Sequence, residues 1–136
     1  MCRSVIDGAN SVESTRVSVQ CSRVVDLTCD HVIGCSAIIV GTPINFGYMS
    51  GLMKDFFERI YYDCLDITVG KPYGVFVKGD TDVDGGLSSI YKIITGLAWK
   101  EVAEPVCHVG RVDSEVTRAC FELGASVCAG LDFDLY

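Results

Sequence analysis

The sequence predicts one α/β domain, with four strands in a parallel sheet and helices packed on both of its faces. Three observations carry this. Ser36–Val40, "SAIIV", is a continuous apolar run of the kind buried on both faces of a sheet. The segment Gly47–Tyr62 then places Met49, Met53, Phe56, Phe57 and Ile60 on one helical face. The same order, strand then helix, recurs along the rest of the chain, and strands joined through helices of this length run parallel. At 136 residues the length fits one domain with a sizeable core.

Each element has its own signal. Val17–Val24 alternates Val17, Val19 and Cys21 with Ser18, Gln20 and Ser22, the period-2 pattern of a strand. Asp26–Asp30 is polar and suits a short helix or turn. Lys71–Lys78, "KPYGVFVK", is a further strand. Gly85–Thr95 is helical, with Ile90, Ile93 and Ile94 facing inward. Val102–Val109 is the fourth strand. Asp113–Leu131 is a closing helix, with Asp113 or Ser114 as N-cap and Glu115 in its first turn.

Composition narrows the function. The net charge of −7 and pI near 4.6 give an acidic surface that repels a phosphate backbone, which argues against nucleic acid as a partner. The apolar runs are too short to span a bilayer, and the N-terminus lacks a secretory signal, so the reading is a cytoplasmic protein with no membrane partner. The eight cysteines include no CxxC pair and several lie in apolar patterns, so they read as reduced thiols acting as small hydrophobes. Cys29, His31 and Cys35 lack the second pair of ligands that a zinc site needs. His31 in a polar turn and His108 at a strand end read as structural or solvated residues.

Two loops follow strands at the end where parallel sheets bind ligands. The first is Thr42–Tyr48. Its Gly41 and Gly47 allow close backbone approach, Thr42 and Asn45 offer hydrogen bonds, and Phe46 and Tyr48 are aromatic. The two rings suit stacking on a planar ligand; Phe46 packed on the sheet edge is the alternative. The second loop is Lys78–Gly86, "KGDTDVDGG". Asp80, Asp82, Asp84 and Gly85 match a calcium loop in part, but Tyr91 stands where the closing Glu belongs, and a strand rather than a helix precedes it. These carboxylates therefore read as turn-shaping residues that leave the site edge acidic.

"GTPINFGYMSGLMKDFFERIYY" resembles the second flavin-binding loop and following helix of the flavodoxin-like family, near the FMN-dependent NAD(P)H:quinone oxidoreductases and FMN reductase-like members. "GKPYGVFVKGD", "GGLSSIYKIITGLAW" and "FELGASVCAGL" resemble later parts of the same family, so the resemblance covers nearly the whole chain. It implies a three-layer sandwich and an FMN cofactor. Thr42, Pro43, Ile44, Asn45, Phe46, Gly47 and Tyr48 would lie against the isoalloxazine ring, with Lys78, Gly79, Asp80, Gly85 and Gly86 contributing from the second loop. The partner would be NAD(P)H or another redox protein, and no side chain is nominated as a catalytic acid or base. An acidic Asp80 near the ring would lower the flavin potential.

Two departures qualify the resemblance. The family opens with a strand and a Ser/Thr-Gly loop that holds the FMN phosphate; here "CRSVIDGANS" resembles the tail of the helix after that loop. About 20 residues by usual element lengths are missing, so the expectation is an N-terminally truncated member in which FMN binding is weakened or lost. The strand 17–24 would then pair directly with 36–40, or a strand would come from another chain, making self-association through the exposed sheet edge an expected outcome. The helix 87–95 also lacks the histidine typical of the quinone-reductase branch. The leading reading is a redox protein, and the alternative is a flavin-free structural or interaction module of the same fold.

Overall fold

The computed structural model describes all 136 residues. Its helices are α1 (Cys2–Ser11), α2 (Cys29–Gly34), α3 (Gly51–Cys64), α4 (Asp84–Gly96) and α5 (Ser114–Asp132). Its strands are β1 (Ile38–Asn45), β2 (Tyr48–Met49), β3 (Pro72–Gly79), β4 (Lys100–Glu101) and β5 (Val106–Val109). β1 and β3 pair in parallel from Ile38 opposite Tyr73 to Pro43 opposite Lys78. β4 and β5 both pair in parallel with β3, and β2 folds back antiparallel on the end of β1.

The apolar pattern places the layers. Val40, Ile44, Val75 and Val77 face a core shared with Val32 of α2, Met53, Phe56, Phe57 and Ile60 of α3, and Ile90 and Ile94 of α4. Ile39 and Phe76, one residue out of step along the strands, face Val5 of α1 and Val116, Cys120, Leu123 and Val127 of α5. Phe56, Phe57 and Ile60 are at most 1% exposed, and each such side chain contributes about 1.5–3 kcal/mol by leaving water. On the other face α1 lies directly against α5: a methyl group on Gly8 would come within 1.9 Å of the Phe121 carbonyl oxygen, and one on Gly124 within 2.0 Å of that of Val5. These two glycines set the depth of the helix crossing.

Three sequence expectations need correction. The segment 17–24 does not form a strand; residues 12–23 have neither helix nor strand. An alternating segment becomes a strand only when a neighbour accepts its backbone groups, and the neighbours of β1 are only β2 and β3. The ends of the segment are instead pinned by side chains. The Arg16 guanidinium donates to Asp134 at 2.8 and 2.9 Å and to the Asp132 carbonyl at 2.9 Å. That of Arg59 donates to the carbonyls of Leu27 and Val24 at 2.6 and 2.8 Å. Opposite β3, Ile38–Pro43 carries no strand, so the edge of β1 is open there.

The helix expected from Gly47 starts at Gly51 instead. Phe46 (φ +54°) and Gly47 (φ +72°) form a two-residue turn that pairs Asn45 with Tyr48 and Ile44 with Met49. Two successive positive φ values match the twist of a hairpin and are incompatible with a helix. Ser50 then caps α3, its Oγ accepting the Met53 N–H at 3.3 Å. The fourth strand is split into β4 and β5, giving five strands rather than four. From Glu101 to Val106 the chain takes five steps while its partner takes three, from Tyr73 to Phe76. Pro105, which has no N–H to donate, lies in the bulged part.

Candidate functional site

The loops after β1, β3 and β5 meet at the carboxyl end of the sheet. In register, Pro43 stands opposite Lys78 and Lys78 opposite His108. The Gly110 N–H donates to the Gly79 carbonyl at 2.9 Å, which ties the third loop to the second. A methyl group on Gly85 would approach the Gly47 oxygen to 2.4 Å, and one on Gly86 would meet the Ile44 side chain at 2.2 Å. Only glycine at 85 and 86 lets the two loops named from the sequence touch, so the fold brings both candidate loops together.

The twelve candidate residues divide by burial. Thr42, Ile44, Gly79 and Gly86 are buried and build the scaffold. Thr42 Oγ1 lies 3.0 Å from Ser50 Oγ and accepts the Ser50 N–H at 3.3 Å, so this hydroxyl fastens β1 to the start of α3 rather than facing outward. Pro43, Asn45, Phe46, Gly47, Tyr48, Asp80 and Gly85 are exposed, and Lys78 is half-buried. Phe46 is 107% exposed at the hairpin tip and Tyr48 is 44% exposed behind it. The sheet-edge packing of Phe46 considered from sequence does not occur. A large ring held in water by a residue at positive φ pays twice, in hydration and in backbone strain, and such strain concentrates at ligand sites.

The charges of the second loop are paired. Lys78 Nζ bridges to Asp80, and this ammonium holds the Asp80 carboxyl below the usual carboxylate range. Asp82 accepts the Asp84 N–H at 3.0 Å, a local turn bond. No group of three His, Cys, Asp or Glu side chains is placed to share a metal ion. Asp113 caps α5, accepting the Val116 N–H at 2.9 Å, and that bond lowers its carboxyl. His108 Nε2 meets the Arg111 carbonyl at 2.8 Å, and His31 Nδ1 accepts the Thr28 N–H at 3.2 Å at the start of α2. Both imidazoles thus have structural bonds.

Sequence reasoning missed two features. Ser89 is buried; its Oγ accepts the Met49 N–H at 3.3 Å and donates to the Gly86 carbonyl at 2.6 Å, joining hairpin to α4. Within the helix 85–95 nothing local marks this serine, because its partner is 40 residues away. The sulfurs of Cys2 and Cys21 lie 3.8 Å apart. Nothing in a 19-residue spacing signals that approach.

No protein-family model matches the chain, and no curated protein matches it. Solved structures do. A flavodoxin from the domain Archaea superposes with a TM-score of 0.78 at 18% identity, over 95% of this chain and 86% of that one. Two-electron reduced Megasphaera elsdenii flavodoxin matches with a TM-score of 0.76 at 15% identity, over 94% of this chain and 88% of that one. The flavodiiron protein from Giardia intestinalis matches with a TM-score of 0.77 at 13% identity, over 94% of this chain but 31% of its own. The fold is therefore flavodoxin-like. No helix is long and apolar enough to cross a membrane.

Proposed function

We propose that this flavodoxin-like chain is a redox protein that holds the isoalloxazine ring of FMN against the hairpin tip. The observation that carries the proposal is Phe46, fully exposed at φ +54° in a loop that touches the second candidate loop at Gly85. The residues fit the ring end of the cofactor. Phe46 and Tyr48 offer apolar faces, Gly47 leaves its backbone open to close approach, and the Asn45 amide is exposed to donate or accept. Bound FMN would supply the electron or hydride chemistry. The protein would bind the ring, shield it from water and set its charge environment, with NAD(P)H or another protein as redox partner.

The phosphate end has no matching cradle: the sequence contains neither GxGxxG nor GxxxxGK[ST]. A strand added on the open Ile38–Pro43 edge is the element that would bring one, whether from a longer form of this chain or from a second chain. This same gap favours the second reading, a flavin-free interaction module. Titrating FMN fluorescence with the purified chain separates the two. Quenching at micromolar protein is expected for the redox reading; fluorescence unchanged to hundreds of micromolar would reject it in favour of the module.

In the loaded protein, Asp80→Asn is expected to raise the flavin midpoint potential modestly, on the order of 20 mV, the scale of a surface charge. The change removes a negative charge and leaves the Lys78 ammonium to favour reduced, anionic flavin. A potential that stays the same or falls would show that this ion pair does not sense the ring.

A further inference from the structure

We propose that Cys2 and Cys21 form a reversible disulfide by exchange with a small-molecule disulfide of the glutathione type. Cys2 opens α1 and Cys21 lies in the irregular segment 12–23, and both thiols are exposed. Their sulfurs are 3.8 Å apart, so a bond of about 2.05 Å needs a closure of under 2 Å. Residues 12–23 sit in no helix or strand, so this closure breaks no ladder. Of the other six cysteines, Cys64, Cys120 and Cys128 are buried, Cys29 and Cys35 are half-buried around α2, and Cys107 is exposed but fixed in β5, outside this pair.

The exchange balances in two steps. One thiolate attacks a sulfur of the small disulfide, forms a mixed disulfide and releases one small thiolate. The second protein thiolate then attacks the protein-side sulfur, closes the bridge and releases the other. In sum, two protein thiols and one small disulfide give one protein disulfide and two small thiols. Cys21 lies in the irregular segment and Cys2 is held in α1, where burial and the neighbouring thiol push it up, so Cys21 is assigned as the first attacker and Cys2 as the resolving thiol. The bridge would tie the irregular segment to α1, and a small-molecule thiol would release it.

The full chain would be equilibrated in glutathione buffers of increasing oxidised fraction, quenched with an alkylating agent, digested with trypsin and mapped without reduction. Cleavage after Arg3, Arg16 and Arg23 leaves Met1–Arg3 joined to Val17–Arg23 only if this bridge has formed. The expected result is that joined pair, with accessible plus buried thiols falling from eight to six under denaturing titration. Cys2→Ser should instead accumulate a stable glutathione adduct on Cys21. The proposal fails if Cys2 and Cys21 stay alkylated as free thiols, if Cys2 bridges Cys120 instead, or if the parent chain accumulates the mixed adduct on Cys2 or Cys21, whatever the exposed Cys107 does.

Discussion

Gly124→Ala is expected to cost about 2–3 kcal/mol of folding stability, although alanine is the better helix former. Helix propensity alone predicts a gain of about 1 kcal/mol for this change in a helix interior. Packing opposes it. The added methyl would lie 2.0 Å from the Val5 carbonyl oxygen and 2.9 Å from the Ala9 nitrogen, both backbone atoms of α1 that no rotamer change can move. α1 must shift off α5, which uncovers Val5 and Leu123. Gly8→Ala, aimed at the Phe121 carbonyl at 1.9 Å, should behave alike, and the double variant should lose less than the sum because one shift relieves both clashes. Urea denaturation of the three variants provides the check. Equal or greater stability for Gly124→Ala would mean that the two helices do not cross at these glycines.

Phe46→Asn is expected to act in opposite directions on stability and on flavin. Asparagine adopts positive φ more readily than phenylalanine, and a fully exposed ring gives the folded state no burial to lose. A gain of about 1 kcal/mol follows from relieving the turn. If the ring stacks on the isoalloxazine, the same change should weaken FMN binding tenfold or more, about 1.4 kcal/mol, within the range of an aromatic pair. Denaturation and fluorescence titration of one variant read both effects. Loss of both stability and binding would show that Phe46 supports the fold, and a stable variant with full affinity would remove it from the site.

The sequence carried the α/β class and the helices α3, α4 and α5. It also carried the strands β1 and β3, because each buries a face whose period shows within ten to twenty residues. It named both candidate loops for a related reason: glycines and aromatics between a strand and a helix stand out locally. The hairpin at Phe46 and Gly47 was hidden by Met49, which fits the apolar stripe of α3 while belonging to β2. The split of the last strand was hidden because Val102 and Val106 look like one strand until the register with β3 is known.

What the sequence determined by itself is the set of local preferences: which stretches bury one face, which bury two, and where the chain must turn. What only the tertiary structure decided is every relation between distant segments. The alternation of 17–24 failed to become a strand because backbone hydrogen bonds need a neighbour, and none accepts it. Thr42 turned inward to Ser50, Ser89 reached back to Met49, Gly85 admitted Gly47, and Cys2 came to Cys21 across 19 residues. Side-chain periodicity reports the environment of one element at a time. Contact between loops depends on how helices and strands are spaced against each other, and that spacing is set by packing over the whole core.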